Sequence, residues 1–149
     1  MNRSFIRSLT SSTRRMSKLQ YVKSDGAPPP AAAYSHAIKA NGMVYVSGQI
    51  PYTPENKPLE NASIADEAER IIQNVKSILE ASNSDLNHVV KNTVFLTDMK
   101  GQFAEFNSVY VKYFSEHRPA RSCVAVKELP LGVRMEMECI ALEKDSSKL

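Results

Sequence analysis

The residues of this chain whose types and spacing suit chemistry lie mainly in two apolar runs near its C-terminal end. The first is Arg118-Pro119-Ala120-Arg121-Ser122-Cys123-Val124-Ala125-Val126. It reads as a strand, with Arg121, Cys123 and Ala125 on one face and Ser122, Val124 and Val126 on the other. Pro119 has no backbone donor, so it fits a strand's first residue or a sheet edge. It also biases Arg118 away from the helical region, ending any helix that runs up through His117. An arginine entering such a strand needs an anionic partner, because burying an unpaired guanidinium is expensive. Its planar fork suits a carboxylate or phosphate held by two parallel hydrogen bonds. The partner is either a protein carboxylate, making a structural ion pair, or the anionic group of a ligand.

The second run is Val133-Arg134-Met135-Glu136-Met137-Glu138-Cys139-Ile140-Ala141-Leu142. Period two puts Glu136, Glu138 and Ile140 on one face, and Met135, Met137, Cys139 and Ala141 on the other. The methionine face suits packing against helices. The glutamate face then lies towards water or another subunit. A neighbouring strand pairing brings a glutamate near Arg121, and this pairing has two readings. Glu136 or Glu138 is the arginine's ion-pair partner, or arginine holds a substrate anion while glutamate handles a proton and a water. Periodicity leaves both open.

The elements that position these runs are legible upstream. Ala27-Pro28-Pro29-Pro30-Ala31-Ala32-Ala33 is an extended, proline-stiffened lead-in. Tyr34 to Lys39 and Met43 to Ser47 read as a hairpin around Asn41-Gly42, a pair that tolerates positive φ. Gly48 ends the second strand and permits a bend or a close approach. Pro51, Pro54 and Pro58 mark a loop. Ser63, with Asp66 three residues on, opens a helix whose apolar stripe is Ile64, Ala68, Ile71, Ile72, Val75, Ile78 and Leu79. Residues 89–96 form a strand. Phe103, Phe106, Tyr110, Tyr113 and Phe114 then mark a second helix, whose spacing favours core packing over base stacking. The order ββαβαββ, with two helices on one face of a mixed sheet, predicts a single α+β domain.

Composition narrows the functional classes. The chain has 149 residues, 23% of them charged and 42% hydrophobic, as in an ordinary soluble domain. No apolar run approaches the ~20 residues of a membrane helix. Cys123 and Cys139 lack metal-ligand spacing and read as buried thiols in a reducing compartment. The net charge is +3, yet Arg3, Arg7, Arg14, Arg15 and Lys18 alone supply +5, which leaves −2 for the remainder. Such a body argues against a nucleic-acid binder. His88 and His117 form no evident pair with a catalytic group, and His36 reads as a strand or surface residue. Residues 1–18 are rich in Arg and Ser and free of acids, which is the composition of a mitochondrial transit peptide or of a basic tail. A start at Met16 would yield a cytosolic form without most of that charge. Residues 19–149 are then the functional domain.

Ser47-Gly48-Gln49-Ile50-Pro51, Phe106-Asn107-Ser108-Val109-Tyr110, Pro119-Ala120-Arg121-Ser122-Cys123-Val124 and Glu136-Met137-Glu138-Cys139-Ile140-Ala141 together resemble the motifs of the RidA/YjgF family. The likeness runs in order from about residue 31 to residue 142, and is greatest to the fungal mitochondrial and cytosolic members. The resemblance implies a chorismate-mutase-like subunit in a homotrimer, with active sites in clefts between subunits. It implies hydrolysis of 2-imino acids or their enamine tautomers to 2-keto acids and ammonia, without metal or organic cofactor. Substrates of this class, 2-aminoacrylate and 2-iminobutanoate among them, arise from pyridoxal-phosphate dehydratases, including those of isoleucine biosynthesis. Carried over by motif, Arg121 binds the substrate carboxylate and Glu136 positions or activates water. Tyr34 contacts substrate or water, Ser47 and Asn107 line the pocket, and the Cys123 backbone helps bind. Ala33-Tyr34-Ser35 lacks the Gly-Pro often found before that tyrosine, and the linker through Pro119 is shorter than in many bacterial members. The family also includes proteins described as translation inhibitors or ribonucleases, and a non-catalytic, carboxylate-binding regulatory trimer is the alternative reading.

Overall fold

The computed structural model describes residues 18–144, so Met16, nearly all of the basic leader and the last five residues lie outside the described part. The chain forms β1 (Gln20–Val22), β2 (Ala37–Ala40), β3 (Met43–Gln49), α1 (Ile64–Ala81), β4 (Val89–Leu96), α2 (Met99–Phe114), β5 (Ala120–Ala125) and β6 (Met135–Leu142). One six-stranded sheet has the order β1-β2-β3-β6-β4-β5. All its pairings are antiparallel except β4 with β5, which α2 connects as a crossover. The α+β class and the two-helix layer follow the sequence expectation, with one strand more than ββαβαββ. The added β1 has three residues, too few to display a period, and it becomes a strand by pairing Gln20 with Lys39 and Val22 with Ala37.

Helix α1 begins where its cap predicts. Ser63 Oγ accepts from the Asp66 N–H (3.1 Å), and Asp66 Oδ2 accepts from the Ser63 N–H (3.0 Å). Its whole apolar stripe, Ile64 to Leu79, is buried. Helix α2 starts at Met99, four residues before its aromatic run, with the Asp98 carboxylate accepting from the Lys100 N–H (3.1 Å). Its first turn lacks the apolar spacing that marks a helix in sequence. Both helices pack on the sheet face that carries Val44, Val94, Leu96, Met135 and Met137, all fully buried, with Cys139 and Ala141 beside them. Truncating such a core side chain to alanine typically costs about 2–5 kcal/mol.

The two ends of β3 depart from regular strand geometry. Before it, Asn41 (φ 52°) and Gly42 (φ 75°) make the left-handed hairpin turn that joins it to β2. Towards its far end the register against β6 slips from Val46↔Cys139 to Gln49↔Met137. Two residues there, Ser47 and Gly48, oppose the single Glu138, so Val46 and Gln49 both point into the core, at 4% and 3% exposure. The bulge turns Ser47 and Gly48 towards the face that no helix covers.

Candidate active site

Arg121 stands on β5, which begins one residue after Pro119 and is a sheet edge, as the proline implied. In register with the buried Asn92, it shares the helix face of the sheet. Its Nη1 donates to Asn107 Oδ1 (2.8 Å). The guanidinium carbon lies 4.5 Å from the Tyr110 ring centroid and 5.8 Å from that of Phe103. Phe103, Asn107 and Tyr110 follow one another by four and three residues, which places them on one stripe of α2. Tyr110 is fixed in turn, its hydroxyl accepting from Asn92 Nδ2 (2.8 Å). Aromatic faces and an amide oxygen stabilise a cation without neutralising it. No carboxylate pairs with Arg121 among the described residues. A cavity of about 490 Å³ opens here, bordered by Asn107, Tyr110, Arg118 and Arg121.

Cys123 lies two residues along, partly buried against the core. Burial pushes its thiol pKa up while nearby Arg121 opposes the shift, so a thiolate nucleophile is disfavoured. Its backbone is better placed. The Val126 N–H donates to the Leu96 carbonyl (2.8 Å), so strand alternation turns the Cys123 N–H away from β4 into the open edge.

Glu136 belongs to a second constellation. Its carboxyl lies over Gly48, where a Cβ would come within 2.7 Å of Glu136 Cδ, so the bulge glycine makes room for the acid. Burial, with a smaller contribution from the Glu138 charge, pushes the Glu136 carboxyl above its ordinary value. Tyr34, Ser47, Ile50, Ala31, Pro130 and Leu131 complete a cavity of about 350 Å³ around it. Ser47 Oγ donates to the Ser35 carbonyl (2.6 Å), and the Tyr34 hydroxyl accepts from the Ala31 N–H (3.2 Å). The segment bearing Tyr34 is anchored by His36, which is buried and not a surface residue. Its Nδ1 accepts from the Ser24 N–H (3.0 Å) and its Nε2 donates to the Pro28 carbonyl (2.9 Å).

Arg121, Asn107 and Cys123 thus form one cluster, and Tyr34, Ser47 and Glu136 another; within one chain they do not meet. Glu136 is in register with Phe95 and Val124, whereas Arg121 is in register with Asn92 and, through it, Cys139. The two side chains therefore leave opposite faces of the sheet. This overturns the expectation that strand pairing brings a glutamate to Arg121, and with it the intrachain ion pair. The sequence reading also assigned the aromatic run of α2 to the core alone. Tyr110 is core and cation platform at once, and Asn107 on the same stripe was the signal for it. His88 does pair, with Asp85 (2.8 Å), which also accepts Lys144 Nζ (2.9 Å), but this is a local turn far from either cluster in the chain.

The family described as Endoribonuclease L-PSP matches residues 24–143. The chain is 63% identical over 121 residues to Protein HMF1 of Saccharomyces cerevisiae, covering 81% of this chain and 92% of that one. It is 60% identical over 132 residues to Protein MMF1, mitochondrial, of the same yeast, covering 89% and 90%. Reactive Intermediate Deaminase A, chloroplastic, of Arabidopsis thaliana is 40% identical over 83% of this chain and 66% of its own length. The crystal structure of yeast Mmf1 superposes with a TM-score of 0.82 at 61% identity, over 85% of this chain and all of that one. Escherichia coli TdcF with bound serine does so with a TM-score of 0.77 at 36% identity, over 84% and 99%. The chain belongs to the endoribonuclease L-PSP family, the RidA/YjgF family its motifs resemble.

Proposed function

We propose that this protein is a 2-imino acid deaminase, with 2-aminoacrylate and 2-iminobutanoate as typical substrates, whose active site is assembled from two copies of the chain. The observation that carries the reading is Arg121 itself, a guanidinium held by an amide and aromatic rings with no carboxylate partner among the described residues. A substrate carboxylate satisfies its fork through two parallel hydrogen bonds. Glu136, in its apolar cavity and with its pKa raised by burial, suits proton transfer. Tyr34 and Ser47 line that cavity and supply hydroxyls for water or substrate.

In the proposed reaction, water adds through oxygen to the imine carbon and gives a proton to the Glu136 carboxylate. The C=N electron pair moves to nitrogen, forming a carbinolamine. Glu136 returns the proton to nitrogen, which completes the neutral carbinolamine. The hydroxyl then passes its proton through the Glu136 carboxylate to nitrogen as the C–N bond breaks, the carbonyl forms and ammonia leaves. One imino acid and one water yield one 2-keto acid and one ammonia. An enamine such as 2-aminoacrylate first takes a proton at its methylene carbon. Imine hydrolysis is intrinsically easy, so orientation and one proton relay suffice.

The two clusters' separation supports assembly. Tyr21, Tyr45, Val124 and Leu142 are exposed apolar residues in register with the Glu136 face of the sheet, an apolar surface suited to a second copy. Joining that face of one copy to the Arg121 edge of another is a head-to-tail contact, which makes a ring where its rotation closes; we take this one to close as a homotrimer. The mitochondrial name of MMF1 supports targeting by residues 1–18, and we propose beside it a cytosolic form that starts at Met16. Amino-terminal sequencing of the cytosolic pool tests the latter. We link the activity functionally to pyridoxal-phosphate dehydratases.

The test supplies 2-aminoacrylate from a serine dehydratase, with semicarbazide competing for the imine. Acceleration of keto-acid release by the protein, largely lost in Arg121→Lys, supports the deaminase. The TdcF structure with serine favours a second reading, retention of a small carboxylate without turnover. Folded, assembled protein that binds such ligands but accelerates neither 2-aminoacrylate nor 2-iminobutanoate hydrolysis establishes that one instead.

A further inference from the structure

Six non-glycine residues among those described adopt positive φ: Asn41, Asn56, Asn61, Asn83, Arg118 and Leu131. Four are asparagine, whose short polar side chain tolerates this region. Arg118 has a local account. Pro119 keeps it from the right-handed helical region, and its N–H closes the end of α2 on the Phe114 carbonyl (3.2 Å). Leu131 has none. It is the third residue of the turn Leu129-Pro130-Leu131-Gly132, closed by the Gly132 N–H on the Leu129 carbonyl (3.2 Å), and its φ is 58°. A proline-initiated turn with positive φ at that position takes glycine or asparagine. Core packing does not compensate the strain, because Leu131 is 65% exposed.

What the side chain does is border the Glu136 cavity. Leu131 stands there with Ala31, Ile50 and Pro130, an apolar wall around one carboxyl and two hydroxyls. It also borders the small crevice beside Tyr34 and His36, and the cavity over Arg134, so it separates three spaces. A 2-imino acid has a carboxylate, an imine and a side chain, and only the side chain can be apolar. The carboxylate is claimed by Arg121 and the imine by Glu136 and its water, which leaves the wall for the side chain.

We propose that Leu131 is the specificity wall of this site, selecting 2-imino acids with aliphatic side chains larger than methyl over those with polar or charged ones. The inference rests on the deaminase reading and names its substrate class. The cavity of about 350 Å³ has room for several carbons. Each methylene placed against the wall raises kcat/KM by up to about fourfold, the equivalent of its transfer from water.

The experiment uses the full chain and an L-amino-acid oxidase that forms imino acids in situ from alanine, 2-aminobutyrate, leucine and glutamine, with semicarbazide in competition. Leu131→Asn and Leu131→Gly both suit the turn's backbone, so each is expected to fold, as checked by melting temperature and oligomer size. Wild-type kcat/KM should rise from the alanine- to the leucine-derived imine and fall for the glutamine-derived one. In Leu131→Asn the leucine-to-alanine ratio should drop by about tenfold. Unchanged ratios in both variants overturn the inference while leaving the deaminase intact. So does a uniform fall with loss of assembly, which makes Leu131 a subunit contact. Wild-type protein that hydrolyses none of the four imines removes the deaminase reading and this inference with it.

Discussion

The two clusters to which we assign the proposed chemistry are built in opposite ways. The Arg121 cluster is made of regular elements: an edge strand sets the arginine, and one stripe of α2 supplies an amide and two rings beneath it. The Glu136 cluster is made of irregular ones: a β-bulge, a glycine without the Cβ that would strike the acid, a proline-rich lead-in and a strained turn. The difference matches the two proposed tasks. A cation that must stay charged and free for a ligand needs rigid neutral partners. An acid that must exchange a proton needs desolvation, and loops folding over an open sheet face supply it without adding a countercharge. In the proposed site the first cluster anchors and the second is tuned.

Either cluster can be broken on its own. The largest effect is expected for Glu136→Gln, which keeps the shape but cannot take a proton. Its turnover should fall by about 10²-fold or more, measured as single-substrate imine hydrolysis. Next is Arg121→Lys, which keeps the charge but loses the fork. A loss of about 10- to 100-fold in kcat/KM, mainly through KM, is the expected result. Co-assembly of these two inactive chains is sharper than either alone. If each site draws its arginine and its glutamate from different copies, random mixing should restore about a quarter of the sites. Recovery absent from verified mixed assemblies rules out a composite site.

Smaller effects address the tuning. Gly48→Ala pushes a Cβ into the Glu136 carboxyl, and should cost about 1–3 kcal/mol of stability by thermal melting or displace the acid with loss of activity. The pH profile is subtler. In the proposed role of base, Glu136 works only when ionised, and its raised pKa should put the acid limb of kcat/KM above the ordinary carboxylate value of 4.5. Activity is lost as pH falls through that limb. Glu138→Gln removes the neighbouring charge, the lesser cause of the shift, so it should move the limb modestly to lower pH. A limb that stays in place would show that burial alone sets it.

Much of this architecture was legible before folding. Ser63 and Asp66 announced the α1 cap, Asn41-Gly42 the hairpin, and Pro119 an edge strand, because each acts on its own backbone or a near neighbour. Period two also separated Met135 and Met137 from Glu136 and Glu138 correctly. Register across strands was not legible. Placing Arg121 beside Asn92 and Glu136 beside Phe95 depends on pairings between segments far apart in the chain, and a one-residue slip reverses every face. The bulge at Ser47 and Gly48 has the same origin, as has the added strand β1.

The sequence by itself determined the elements, their caps and turns, the apolar faces and the residues able to do chemistry, since these follow from local backbone preference and side-chain period. Only the tertiary structure decided that Arg121 and Glu136 leave opposite faces of one sheet, that Tyr110 serves as a platform and that Leu131 borders an acid. Those relations arise from long-range packing, where the sheet register, and no property of any single residue, fixes which groups share a space.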